Sequence, residues 1–260
     1  SPSLLTTEDK LQVLLPNEAS DEGRPPYNQP SGGKAGSFIA RTAGLPFDVT
    51  VNACDKFWNI RDTIAPIVKV WTTDRYDTEP GTKTLTSGTT TFNVTLKTGA
   101  TYYNGILYSG ASHYFYAYTT PQSPVALTTG TANNVYTRPN TAHHLQIVMP
   151  GELPEPGYGK YYSPGPLTAG VTIQVIVNLV DQYENLTSTV PDVGMPTVRI
   201  WTTDTHDSAP SPAEQPAAPT GMEKPITLGS GNATFYICMV TANDPPLNAA
   251  NWSIYAKDTD

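Results

Sequence analysis

Apolar and polar residues alternate with a period of two over many short stretches of the chain, and no stretch of ten or more residues follows a helical period. In "LPFDVTVNAC" Phe47, Val49, Val51 and Ala53 share one face of an extended strand; in "VTIQVIVNLV" Ile173, Val175, Val177 and Leu179 do the same. Such alternation turns one face of a strand to a core and the other to water. In the first half it predicts strands near 11–15, 46–54, 67–73, 82–86, 90–97, 113–119 and 123–128, separated by Gly, Pro, Asn and Asp turns. About seven short strands so spaced predict an antiparallel β-sandwich.

The pattern then repeats. "LQVLLPNE" (11–18) is echoed by "LQIVMPGE" (145–152), "TAGLPFDVTVNACDKFWN" (42–59) by "TAGVTIQVIVNLVDQYEN" (168–185), and "VKVWTTD" (68–74) by "VRIWTTD" (198–204). "TTTFNVTLKT" (89–98) aligns with "NATFYICMVT" (232–241), and "FYAYTT" (115–120) with "IYAKDT" (254–259). The order is kept throughout, so the chain is a tandem duplication. The predicted architecture is all-β: two tandem antiparallel sandwiches at 11–129 and 145–260, joined by the polar linker 130–144, "GTANNVYTRPNTAHH".

The run T-A-G-x-x-F-x-V-T-V-x-A-x-D-x-x-x-N, followed by an alternating V-x-V strand and a T-F-x-V-T-L-K-T strand, resembles bacterial immunoglobulin-like domains. The resemblance covers nearly the whole chain, twice. It implies immunoglobulin-like sandwiches of the kind found in invasin- and intimin-type adhesins, in S-layer and other surface proteins, and as spacers in secreted enzymes. It implies no single function, because this fold carries many.

One stretch stands outside the repeat. "SPSLLTT" (1–7) nearly copies "SPVALTT" (123–129), which reads as the closing strand of the first sandwich, while the second sandwich reads as lacking that strand after "WSIYAKDTD". The start without Met suggests a processed or excised chain, and three explanations follow: the chain is one period of a longer array; residues 1–7 fold back onto the second sandwich; or they fill the second sandwich of a neighbouring copy, with Ser3, Leu4, Leu5, Thr6 and Thr7 as the assembly strand. Head-to-tail exchange of this kind propagates as a filament unless it closes a ring.

Composition narrows the partners. With 15 basic against 23 acidic residues and a formal net charge of −8, the chain lacks the basic footprint of a nucleic-acid binder. No apolar run approaches the roughly 20 residues that span a bilayer. Cys54 and Cys238 fall on non-equivalent strands of different repeats and are expected to stay unpaired. Sequons at Asn93, Asn185, Asn232 and Asn251 are candidate glycosylation sites in an extracellular protein.

No catalytic motif is present, and the sequence is read as non-enzymatic, without a cofactor. Asp74, Asp77, Asp204 and Asp207 follow the two Trp strands and are candidate Ca2+ ligands, with Asp55 and Asp181 as further contributors; turn formation is the competing role. His143-His144 is either a metal-binding or a solvated pair. Trp71 and Trp201 face away from the core, to be covered by the Pro/Tyr-rich insertion bearing Tyr27 in one repeat and Tyr158, Tyr161 and Tyr162 in the other, or to bind a glycan. Tyr114, Tyr116 and Tyr118 form an outward stripe, a cross-strand pairing surface or a second glycan platform. The sequence thus points to an extracellular structural subunit of a surface filament or array. The alternatives are a stalk or ligand-binding module of a longer adhesin, and an accessory domain of a secreted enzyme.

Overall fold

The computed structural model describes residues 9–99, 101–103, 106–108, 112–132, 134–188, 194–204, 206–207, 222–227, 229–242 and 252–260. These residues are all-β, in several antiparallel sheets and without a helix; in particular, no helix is long and apolar enough to cross a membrane. The chain divides into two compact units, residues 1–100 with 109–138 and residues 101–108 with 139–260.

In the first unit, β1 (Lys10–Leu14) pairs with β5 (Phe47–Cys54), and β5 with β8 (Thr89–Val94). Facing this sheet is a second, ordered β13 (Gly130–Thr131), β12 (Phe115–Thr119), β6 (Ile67–Thr72) and β7 (Lys83–Thr84). The alternating positions of both sheets meet in one core, with Val13, Val49, Val51, Val68, Val70, Phe92, Val94 and Phe115 fully buried. β2 (Glu18–Ser20) and β3 (Lys34–Gly36) make a hairpin inserted after β1, whereas the hairpin of β9 (Thr101–Tyr103) and β10 (Ile106–Tyr108) groups with the second unit. β4 (Arg41–Thr42), β14 (Val135–Arg138) and β11 (Ser112–His113) form a small third sheet in which β14 lies between the other two, parallel to β4 and antiparallel to β11.

The second unit repeats this plan. β15 (His144–Val148), β18 (Thr172–Val180) and β21 (Asn232–Cys238) form one sheet. β19 (Thr197–Thr202), β20 (Met222–Pro225) and β22 (Ile254–Asp258) form the other, and β16 (Leu153–Glu155) and β17 (Gly159–Tyr161) the inserted hairpin. Its core holds Val175, Val177, Val198, Ile200, Phe235 and Ile237, the positions equivalent to those of the first unit.

Both units are tied by the same polar contacts. Gln12 donates to the carbonyl of Gly33 (2.7 Å) and accepts from Asn52 (2.9 Å), as Gln146 does with Gly159 (3.0 Å) and Asn178 (3.1 Å). A buried Lys34–Glu18 ion pair (3.1 Å) anchors one inserted hairpin and Lys160–Glu152 (2.8 Å) the other. Gly88 and Gly231, both at positive φ, lie so close to the carbonyls of Arg61 and Thr187 that a Cβ would stand 2.5 and 2.4 Å from them.

Two expectations about the repeat boundary change. Residues 123–128 form no strand; they make an isolated parallel bridge between Lys10 and Thr128, with Leu127 buried in the core and Val125 packed against it. The first unit is closed instead by residues predicted to be linker. Gly130–Thr131 pairs with Tyr116 and Ala117, and Val135–Arg138 alternates buried and exposed side chains. Only 139–143 separates this strand from β15, which begins at His144. Gly130 is required here for space, because a Cβ would stand 2.4 Å from the carbonyl oxygen of Leu11.

Candidate functional site

The acidic residues singled out as metal ligands make hydrogen bonds to nearby backbone N–H groups and side chains. Asp74 accepts from the N–H groups of Lys97 (2.6 Å) and Thr98 (2.9 Å) and from the Thr98 hydroxyl (2.7 Å), which fixes the chain leaving β8. Asp204 does the same for Val240 (2.9 Å), Thr241 (2.9 Å) and the Thr241 hydroxyl (2.7 Å). Burial pushes both carboxyls up, but these donors more than offset it and hold both below the ordinary aspartate value. Asp77 and Asp207 take the hydroxyls of Thr72 and Thr202. Asp55 and Asp181 each close a five-residue turn onto Asn59 and Asn185. Among the described residues no group of three or more His, Cys, Asp or Glu is placed to hold a metal ion, and the hydrogen bonds of these aspartates are those of turn formers.

The outward Trp residues also find different neighbours from those expected. Trp71 packs on Tyr116 (ring centroids 5.3 Å apart) and Trp201 on Tyr255 (5.4 Å), each its cross-strand partner. Tyr27 packs edge-on against Phe57, and Tyr158, Tyr161 and Tyr162 against one another, so these insertion tyrosines pack elsewhere. Tyr114 is exposed and Tyr118, opposite Lys69, is partly buried. Trp71 remains 43% exposed.

Of the sequons, Asn93 is exposed and Asn232 partly buried, whereas Asn185 is fully buried with its amide donating to both oxygens of Asp181. Asn185 is thereby removed as a glycosylation site; Asn251 lies outside the described residues. Cys54 and Cys238 are free and buried, and burial pushes the Cys54 thiol up to about 12. His144 meets Glu184 at 3.0 Å and touches His143 at 3.1 Å.

The units diverge along one edge. In the first, β12 has neighbours on both sides, β6 and β13, and residues 127–131 seal the gap between β12 and β1: Leu11 donates to the Thr128 carbonyl (2.9 Å), and the Thr128 N–H to the Asp9 carbonyl (3.1 Å). Leu11, Val13, Leu15, Phe115 and Ala117 are consequently buried. In the second, β22 pairs with β19 alone and stands at the edge of its sheet among the described residues. The equivalent Leu145, Ile147, Met149, Ile254 and Ala256 are only partly buried. An edge of unpaired backbone groups beside half-covered core residues is a template for a further strand. The assembly strand expected to fill it, Ser3 to Thr7, lies outside the described residues. Period-two alternation locates the strands of this edge, and it is the comparison of the two repeats that reads the second as lacking a closing strand.

No family model matches the chain, and no curated protein does. Among solved structures, the chain is similar over 96% of its length to Bacteroides uniformis beta-glucuronidase 3 in its apo form (13% identity, TM-score 0.25) and over 98% to a beta-glycosidase from Bacteroides vulgatus (10%, 0.28). It is also similar over 84% of its length to a Parabacteroides merdae beta-glucuronidase (10%, 0.27). The chain spans only 23%, 24% and 21% of those three enzymes, and likenesses at these TM-scores assign neither fold nor activity.

Proposed function

We propose that this chain is a non-enzymatic, extracellular structural subunit built of two immunoglobulin-like sandwiches, whose second unit accepts a β-strand from a neighbouring copy, giving head-to-tail assembly into a surface filament or array. The observation that carries the reading is the contrast between β12, flanked by strands on both sides, and β22, flanked on one. The proposed donor is residues 3–7. By its match to 123–129, Leu5 takes the place of Leu127, and Thr6 bridges His144 as Thr128 bridges Lys10. Burying one leucine contributes about 1.5–3 kcal/mol and each ladder hydrogen bond about 0.5–1.5 kcal/mol, so the strand needs further contact between copies to hold a fibre.

The test is the assembly state, by sedimentation velocity and negative-stain microscopy, of the parent, a variant lacking residues 1–7, and Leu5→Asp. Fibres from the parent alone, with the first unit melting unchanged in all three, are expected. Equal assembly of all three, or a parent that stays monomeric, overturns the reading. The exposed Trp71–Tyr116 pair favours a second reading, a glycan-binding module of a longer adhesin; loss of glycan binding in Trp71→Ala without loss of fold supports it.

A further inference from the structure

The second unit holds a pocket of about 470 Å3 between the segment 164–169 on one side and Met239, Trp252 and Ile254 on the other. Its walls align residue by residue with a place in the first unit that is filled. Leu167, Thr168 and Ala169 correspond to Arg41, Thr42 and Ala43; Trp252 and Ile254 correspond to His113 and Phe115; Met239 corresponds to Leu96. Even the anchoring hydrogen bond is kept, although the side chain differs: His113 Nε2 meets the Thr98 carbonyl at 2.9 Å, and Trp252 Nε1 donates to the Thr241 carbonyl at 2.9 Å.

In the first unit β14 runs through this place. Thr137 and Arg138 pair with Arg41 and Thr42, Val135 pairs with His113, and Ala43 donates to the Arg138 carbonyl (2.8 Å). Val135 and Thr137 are buried there and Ala43 is covered completely. In the second unit Leu167, Thr168 and Ala169 are exposed, Trp252 is half-covered, and no strand is assigned between them among the described residues. The pocket is the seat of β14 without β14.

We propose that this pocket binds the second half of an incoming extended strand with the pattern of residues 125–138: an apolar residue at the position of Leu127, a small one at Gly130, and a β-branched apolar one at Val135. The strand runs parallel to 167–168 and antiparallel to the segment entering β22. The inference rests on the strand-acceptor reading and deepens it. The match of residues 1–7 reaches only as far as Thr129, and Glu8 then stands where the first unit requires Gly130, so the amino-terminal segment fills the β22 edge and leaves this pocket open. The full ligand is an extended peptide of about 14 residues, recognised by backbone pairing and by alternate side chains entering pockets.

The test uses the whole protein and a synthetic peptide of residues 123–139, with a peptide of residues 1–8 beside it, followed by calorimetric titration and tryptophan fluorescence. The longer peptide is expected to bind one per chain, to change the emission assigned to Trp252 by its loss in Trp252→Phe, and to raise the melting temperature of the second unit by mass action. Carrying Val135→Asp, it binds at least about tenfold more weakly. In the protein, Ala169→Arg obstructs the pocket at an exposed site; it is expected to weaken the longer peptide by a similar factor, with the free protein melting as before and the shorter peptide unaffected. No binding of the longer peptide, or equal binding to the parent and to Ala169→Arg, overturns the inference. If the longer peptide binds in an Ala169-dependent way while the chain stays monomeric, the inference stands and filament assembly through residues 1–7 falls. If assembly through residues 1–7 is untouched by Ala169→Arg and the longer peptide does not bind, the inference falls and filament assembly stands.

Discussion

The two units carry the same internal wiring and differ in how they close. Aspartates 74 and 204, Gln12–Asn52 and Gln146–Asn178, and the Lys34–Glu18 and Lys160–Glu152 pairs reproduce one another contact for contact. Val49, Val51, Val68, Val70, Phe92 and Val94 are as buried as their equivalents Val175, Val177, Val198, Ile200, Phe235 and Ile237, whereas Phe47 is buried and Ile173 only partly so. Burial parts most consistently along the edge that residues 125–138 cover in the first unit. Hydrogen-bonded turns and central strands are thus copied with the repeat, whereas closure depends on one segment that only the first unit possesses among the described residues.

The comparison is broken most directly in the core. Leu11→Ala removes a fully buried side chain and is expected to cost about 2–5 kcal/mol, while the equivalent Leu145→Ala, at the open edge, costs about 1 kcal/mol. Chemical denaturation following each unit separately measures both; equal costs contradict the asymmetry.

The next effect is shared. Asp74→Ala and Asp204→Ala each orphan two backbone donors, worth about 1–3 kcal/mol per buried group. Similar losses in the two units are expected, because the wiring is common. Both carboxyls sit below their ordinary value, so the stability they contribute is present above the unfolded pKa, about 3.9, and is lost as pH falls through the lower folded value. Melting at stepped pH is therefore expected to decline below about pH 4 in both units, and less steeply in a unit carrying Asp→Asn at this site.

Thiol reactivity sharpens the contrast without mutation. Both cysteines are buried, so alkylation requires opening. Cys238 is expected to react before Cys54, whose thiol is pushed up to about 12 and whose strand lies in the closed unit. Timed iodoacetamide labelling with peptide mapping reads the order, and prior labelling of Cys54 contradicts it. The smallest effect is at the surface: Trp71→Ala and Trp201→Ala remove half-exposed cross-strand pairs and are each expected to cost about 0.5–1 kcal/mol in thermal denaturation.

Much of the fold is legible in the sequence because the buried strands are long and strictly alternating. Val49, Val51 and Ala53 announce β5, and the repeated V-x-x-W places Trp71 and Trp201 on the outer face. β14 escapes such a reading because "VYTR" sits among Asn, Pro and Gly and buries Thr137, a residue that reads as polar. β4 and β11, two residues each, carry too little sequence to show a period. The inserted hairpins lack alternation too, although the Gly-Lys of 33–34 and 159–160, each downstream of a repeated Glu, is a signal of the buried ion pair. At the candidate site the sequence locates the edge but misplaces its cover, since "SPVALTT" resembles a closing strand and supplies only the approach to one.

The measurement closest to the central claim is residue-resolved hydrogen exchange on the intact chain. Amides of β12, paired on both sides, are expected to exchange only with unfolding of the first unit, while β22 amides pointing away from β19 exchange rapidly in the free chain. Those same β22 amides are expected to become protected in assembled material or when the 123–139 peptide is added. Protection of both faces of β22 in the free monomer, equal to that of β12, would contradict the account.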